Sequence, residues 1–283
     1  MGLPGQFSVE SLSYSRFHTP GGGIGVKSSG SRLDVALVER GLAPSREKAR
    51  ALIMAGEVLL NGQRCDKSHR QVHAADGIEV RARYPFASRG AYKLERALNE
   101  FDMDPRGKVV LDIGISNGGF TDLMLQKGAR HVVGVDVNVD QVDWKLQKDE
   151  RVTLLKRNAR YLKESDIDPP PEIITMDLSF ISVSKVVERM SVWPQAVILC
   201  LIKPQFEAER HRVHKGGVVR SRHERLEILS NVRSRLEVLN WWVTGVCAAG
   251  IKGRRGNQEY FFRLEYGKPL GVDATILANV VST

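Results

Sequence analysis

Asp112-Ile113-Gly114-Ile115-Ser116-Asn117-Gly118-Gly119-Phe120-Thr121 is the stretch whose reading decides the fold. It follows the apolar run Val109-Val110-Leu111, which reads as a buried strand, and it opens a helix. Small residues let the backbone approach a ligand closely. The helix N-terminus offers unpaired N–H groups to a carboxylate or phosphate. About twenty residues on, Asp136 ends the next strand candidate, His131 to Val135, where a carboxylate can take both hydroxyls of a ribose.

Outward from this stretch, strands and helices alternate. Leu94, Ala97, Leu98 and Phe101 mark a helix before the first strand. Further strands are predicted at Ile173 to Met176, Ala196 to Ile202, Trp242 to Val246 and Tyr260 to Leu264, with Arg222 to Leu239 as the longest helix. Such alternation predicts an α/β, doubly wound, mostly parallel sheet that binds ligands at the carboxyl ends of its strands. Dinucleotides and S-adenosylmethionine both suit this layout. A dinucleotide fingerprint wants glycine where Ser116 stands, whereas Asp112, directly before the loop, supplies an anion for a cofactor with an amino-acid end. The residues favour a methyltransferase; the glycines alone would equally serve a tight turn into a helix.

Four ionisable residues stand where bare structure does not ask for charge. Lys93 lies in Ser88-Arg89-Gly90-Ala91-Tyr92-Lys93-Leu94, and Asp177 follows the strand at Ile173 to Met176. Lys203 follows Ala196 to Ile202, and Glu259 precedes Tyr260-Phe261-Phe262. Singly, each could be a surface charge, or in the case of Asp177 a turn cap. Together they converge, because the ends of the strands meet beside the cofactor.

Residues 85–283 form this larger domain, and two smaller segments precede it. Residues 1–31, rich in Gly and Ser and without apolar periodicity, are expected to be a disordered extension, and their shortage of acids also suits an organellar transit peptide. Residues 32–84 read as a small α+β domain. Leu33 to Val38 lead to Gly41 as a helix stop, and Ser45 caps a second helix whose buried stripe is Ala49, Leu52, Ile53 and Gly56. Arg46 and Arg50 then share another face of that helix. Val58-Leu59-Leu60 runs into the tight turn Asn61-Gly62, and Asp76-Gly77 precedes the alternating strand Ile78 to Arg81.

Composition narrows the function classes. The formal charge is +9, and the excess of +1, +3 and +5 over the three segments is spread along the chain, which suits a polyanionic partner. The longest apolar stretch, Ala196 to Ile202, ends at Lys203 and Pro204, far short of the roughly 20 residues of a membrane helix. Cys65, Cys200 and Cys247 are odd in number and not in metal-ligand spacing, so a reducing compartment is expected, with neither a disulfide framework nor zinc.

In spacing, Arg32-Leu33-Asp34, Gly41, Ser45-Arg46, Ala49, Leu52-Ile53, Gly56, Val58, Asn61-Gly62 and Lys67 resemble the RNA-binding domain of the ribosomal protein S4 type. That resemblance implies that Arg46, Lys48 and Arg50, with Arg32 and Lys67, contact the RNA backbone. In the larger domain, the lysine, aspartate, lysine, glutamate order, Asp112 to Gly119 and Lys203-Pro204-Gln205-Phe206 resemble the FtsJ-type 2'-O-ribose methyltransferases. The front domain, Asp177-Leu178-Ser179-Phe180-Ile181-Ser182 and Lys215-Gly216-Gly217-Val218-Val219-Arg220 narrow the resemblance to the TlyA family of ribosomal RNA methyltransferases, also called haemolysins. It spans nearly everything after Ser31. Ile115, Asn117 and the basic loop Lys252 to Asn257 depart from the family's usual pattern.

The resemblance implies a Rossmann-like class I methyltransferase fold behind an S4-like domain, and a cytoplasmic enzyme. It would methylate a ribose, that of a cytidine, in ribosomal RNA or ribosomal subunits, with S-adenosylmethionine as cofactor. Lys93, Asp177, Lys203 and Glu259 would be the catalytic tetrad. Asp112, Gly114, Ser116, Gly118, Gly119 and Asp136 would line the cofactor, and Asn158 would meet its adenine. A ribose hydroxyl is a poor nucleophile, so attack on the methyl needs a positioned base or a cation for the forming alkoxide. Lys203 is expected in that role, tuned by Lys93 and Asp177, with Glu259 orienting Lys203 or the ribose. The sulfonium is already activated, so no metal is expected. Two other classes compete: a haemolysin-like membrane-active protein, and a catalytically silent RNA-binding assembly factor. The first would show a membrane span or a strongly amphipathic basic helix, and the second would lack the tetrad.

Overall fold

The structure is a computed structural model that describes residues 30–54, 56–80, 86–208, 217–253, 255–269 and 271–282. Expectations placed on residues 1–29, Arg81, Tyr84, Lys215, Gly216 and Arg254 lie outside the described residues. The chain divides into two compact units, Met1–Ala82 and Arg83–Thr283.

In the first unit the order is β1 (Ser31–Arg32), α1 (Leu33–Glu39), α2 (Arg46–Met54), β2 (Val58–Leu60), β3 (Gln63–Arg64), β4 (Gln71–Val72) and β5 (Ile78–Val80). Helix α1 stops before Gly41, whose φ of +68° needs no Cβ to be accommodated. Ser45 Oγ accepts the Lys48 N–H at 3.2 Å ahead of α2. Asn61 and Gly62 both take positive φ in the hairpin between β2 and β3, the conformation that the Asn-Gly pair predicts. Leu33, Leu37, Ala49, Leu52, Ile53 and Val58 form the core. Regular structure begins at Ser31, one residue earlier than expected, because Ser31 pairs with Val72.

The second unit continues with α3 (Gly90–Glu100), β6 (Val109–Ile113), α4 (Gly119–Gln126), β7 (His131–Asp136), α5 (Trp144–Gln147), β8 (Val152–Lys156), β9 (Ile173–Met176), α6 (Ser184–Val187), β10 (Val197–Ile202), α7 (Pro204–Glu207), α8 (Arg222–Val238), β11 (Trp241–Ala248), β12 (Tyr260–Tyr266) and α9 (Ala274–Ser282). Its seven-stranded sheet has the order β11-β12-β10-β9-β6-β7-β8. All neighbours from β10 to β8 are parallel, while β12 runs antiparallel to β10 and β11. This is the expected mostly parallel, doubly wound sheet. β10 is buried on both faces: Ile198, Cys200 and Ile202 pack with Val187, Leu229 and Val232, and Leu199 and Leu201 with Leu94 and Leu123. A strand covered on both sides reads as a continuous apolar run. The chain leaves β6 toward β7 and β8, then returns to place β9 on the other side of β6. That reversal opens a crevice at the carboxyl ends of β6 and β9, where such sheets bind ligands.

Strand β8 was not anticipated. It pairs only with β7 and none of its residues is fully buried, so Val152-Thr153-Leu154-Leu155, broken by Thr153, lacks the unbroken apolar signature of the inner strands. The three cysteines are free, two of them buried in the second unit.

Candidate active site

A cavity of about 820 Å³ lies at the strand ends, lined among others by Gly114, Ser116, Asp136, Asn158 and Asp177. Gly114 follows β6 with a φ of +81°, and a Cβ there would stand 2.6 Å from the Asp177 carbonyl oxygen. Only glycine lets the ends of β6 and β9 come this close. Ser116 also takes a positive φ, and its N–H donates to Asp136 Oδ2 at 3.0 Å. The Asn138 N–H donates to Asp136 Oδ1 at 3.1 Å, so the carboxylate is held at the rim from both sides. Asn158 Oδ1 accepts the Arg160 N–H and caps the short turn Ala159–Tyr161.

Three expected cofactor residues do not line this cavity. A Cβ on Gly119 would meet Ser88 Oγ at 2.0 Å, and Gly118 packs on Leu146, so both serve the seating of α4. Asp112 is buried behind the loop, its Oδ2 accepting the Thr121 hydroxyl at 2.7 Å and its Oδ1 the Thr175 hydroxyl at 2.8 Å. Burial pushes the Asp112 carboxyl up to about 6, against the lowering effect of both threonines. The fit to a cofactor of nucleoside and amino-acid character therefore rests on the cavity's size, the glycine cradle at Gly114 and the rim carboxylate Asp136.

The tetrad is assembled as two ion pairs. Lys203 Nζ lies 2.5 Å from Asp177 Oδ1 and donates to Ser179 Oγ at 3.1 Å. Lys93 Nζ donates to Glu259 Oε2 at 2.6 Å, tying α3 to the start of β12. Sheet register explains the grouping. Ile202 pairs with Tyr260, so the residues just beyond, Lys203 and Glu259, face each other across the antiparallel pair β10/β12. The Asp177 N–H donates to the Ile113 carbonyl, which sets Asp177 beside Gly114. The expected pairing of Lys93 with Asp177 is thus corrected: Lys203, after β10, takes Asp177 from the end of the neighbouring strand β9, and Lys93, on α3, takes Glu259 from the start of β12.

Phe180 was not singled out by the sequence. It is 89% exposed, takes a φ of +65° and stands against Phe206, ring centroids 4.8 Å apart. Phe206 in turn lies 5.8 Å beneath Lys203 Nζ. A bulky residue in the left-handed region and in solvent gains little for the fold. The signal in the sequence was an aromatic ring between two serines and directly after the strand-end aspartate, in Asp177-Leu178-Ser179-Phe180-Ile181-Ser182.

The profile of FtsJ-like methyltransferases matches residues 86–266, and that of S4 domains residues 31–78. TlyA of Mycobacterium tuberculosis, a 16S/23S rRNA (cytidine-2'-O)-methyltransferase, is 39% identical over 89% of this chain and 96% of its own length. The chain belongs to the TlyA family of FtsJ-like methyltransferases. Hemolysin A of Brachyspira hyodysenteriae is 38% identical over 81% of this chain and 97% of its own length. A solved structure of a hemolysin-type protein from Streptococcus thermophilus superposes with a TM-score of 0.70 at 33% identity, covering 89% of this chain and 94% of the other. Among the described residues no helix is long and apolar enough to cross a membrane.

The S4 domain of this TlyA-family chain carries the five basic residues expected to meet RNA, and they differ in setting. Arg32, Arg46 and Arg50 all engage Asp34, whereas Lys48 and Lys67 have no ion-pair partner among the described residues. Lys48 is two positions from both Arg46 and Arg50, which puts it on the opposite side of α2. Of the helix residues expected to contact RNA, Arg46 and Arg50 thus share an arginine cluster and Lys48 stands apart from it.

Proposed function

We propose that this chain transfers a methyl group from S-adenosylmethionine to a ribose 2'-hydroxyl of ribosomal RNA, a cytidine as in the named relative. The observation that carries the reading is that the ion pairs Lys203–Asp177 and Lys93–Glu259 form where α3 meets the ends of β9, β10 and β12. The cofactor, when bound, supplies an activated methyl group; Gly114, Ser116, Asp136 and Asn158 are the residues that would hold it.

Lys203 has three N–H directions as an ammonium. Ser179 Oγ takes one of them and the Asp177 carboxylate stands beside the ammonium as its counter-charge, so a donor direction is left for the attacking oxygen. Such a donor stabilises negative charge as it develops on the ribose oxygen. Methylation turns a hydroxyl into an ether, so one proton leaves, and the Lys203–Asp177 pair is its path to solvent. Glu259 holds Lys93 and keeps a carboxylate opposite Lys203, which fixes the lysine's direction. Exposed Phe180 offers a ring on which a base drawn out of the RNA can stack. Arg160 and Lys185 line the same cavity and have no carboxylate partner among the described residues, which suits an incoming polyanion. A ribosomal RNA substrate would put the enzyme with ribosomes, in the cytoplasm.

Mass mapping of 2'-O-methyl groups in ribosomal RNA from cells with and without the protein tests the reading. One ribose methyl group should disappear with the protein. An unchanged map, or loss of a base methyl group instead, would overturn it.

A further inference from the structure

Asp34 is a carboxylate with no exposure at all, in a small domain whose core is otherwise apolar. A buried charge is tolerated only with partners, and one arginine would be enough to neutralise it. Three converge on it instead. Arg32 reaches both oxygens, Nε to Oδ1 at 3.0 Å and Nη2 to Oδ2 at 3.4 Å. Arg50 Nε lies 2.9 Å and Arg46 Nη2 3.3 Å from Oδ2. Their side chains remain 41%, 51% and 53% exposed for Arg32, Arg50 and Arg46. Each guanidinium therefore uses one edge on Asp34 and turns the remainder to solvent.

Three cations around one anion leave two positive charges uncompensated at close quarters. That arrangement is worse for stability than a single pair, and it suits an anion arriving from outside. The guanidinium fork matches phosphate oxygens two at a time, but only when its plane is held. A long arginine side chain loses much rotamer freedom on binding unless it is ordered beforehand. We propose that Asp34 is a positioning residue that pre-orders Arg32, Arg46 and Arg50 as one binding site for phosphates of the RNA backbone. This rests on the reading of the chain as an RNA methyltransferase. The three guanidiniums hold the Asp34 carboxyl down to about 2 in spite of its burial, so the carboxylate stays charged at any pH where RNA is bound.

The test exploits a difference in sign. Asp34→Asn removes one negative charge from the RNA-facing cluster, so electrostatics alone predicts tighter binding and a salt dependence at least as steep. Pre-ordering predicts the reverse: binding weaker by about tenfold, and a slope of log affinity against log salt shallower by about one unit as a phosphate contact is lost. Binding of the full chain to deproteinised ribosomal RNA is titrated at several salt concentrations, with cofactor affinity and the thermal transition as controls of folding. Arg50→Lys is the companion, since it keeps every charge and Asp34 but gives up the fork; it too should weaken binding several-fold. Should Asp34→Asn fail to fold, Arg50→Lys together with Arg32→Lys decides the matter. Asp34→Asn binding as tightly as the parent or tighter, or lysine variants binding as well as the arginines, would overturn the inference. Failure of the unaltered chain to bind ribosomal RNA would instead overturn the functional reading on which it rests.

Discussion

Replacing Asp112 by asparagine should stabilise the methyltransferase unit at neutral pH. The folded carboxyl stands at about 6 against an ordinary 3.8, and burial is the main cause. A carboxyl raised by folding adds stability that is fully present below about pH 4 and is lost as the pH rises through about 6. The difference of about two pKa units corresponds to about 3 kcal/mol at pH 7 and above. Asparagine has no proton to lose and nearly the same shape. It can still accept from one threonine hydroxyl, and losing the other bond costs about 1 kcal/mol. The net expectation is a gain of about 2 kcal/mol at pH 8 that vanishes by pH 4. Urea unfolding followed by tryptophan fluorescence reads this directly, because Trp144, Trp193, Trp241 and Trp242 all belong to the second unit. A difference between Asp112→Asn and the parent that stays constant from pH 4.5 to pH 8 would refute the reasoning, as would a variant less stable at pH 8.

Other substitutions probe the geometry. Gly114→Ala puts a Cβ 2.6 Å from the Asp177 carbonyl and forces an L-residue to a φ of +81°, so it should destabilise the unit by about 1–3 kcal/mol and lower turnover, as a melting curve and an activity assay would show. No loss in either would mean that the ends of β6 and β9 can separate freely. Phe180→Ala removes a ring that is almost wholly in solvent, so its melting temperature should hardly move while the RNA concentration needed for half-maximal methylation rises about tenfold, the size of one base-stacking contact. Unchanged RNA dependence would remove Phe180 from substrate binding.

How much of this was legible in the sequence depended on the range of the interaction that decides each feature. The glycine loop, the helix stop at Gly41 and the Asn61-Gly62 turn are local, and each was placed from neighbouring residues alone. Inner strands such as β10 were legible because burial on both faces leaves an unbroken apolar run. Edge strand β8 lacks that run and was missed. The four ionisable residues could be nominated one at a time, since each sits just outside a strand or at a helix start. Their pairing could not, because it follows from β9 lying beside β10 and from α3 meeting the start of β12, where Lys93 and Glu259 are 166 residues apart in the chain. The same holds for Asp112: its position before the loop was visible, but Thr175, which helps occupy it, comes from the neighbouring strand. Arg46 and Arg50 could be put on one helical face by their spacing. That Asp34 gathers them required the docking of α1 on α2.

On the proposed reading, the ion pairs Lys203–Asp177 and Lys93–Glu259 carry out methyl transfer in a site whose cofactor is held by other residues. Single-turnover transfer of a labelled methyl group from S-adenosylmethionine to ribosomal RNA by Lys203→Ala, with cofactor affinity measured on the same preparation, tests it most directly. The account predicts a rate lower by about a hundredfold or more with cofactor binding nearly unchanged, because Lys203 acts on the developing alkoxide and lies outside the cofactor cradle. Transfer at the parent's rate would contradict it, and so would a loss of rate fully explained by a loss of cofactor binding.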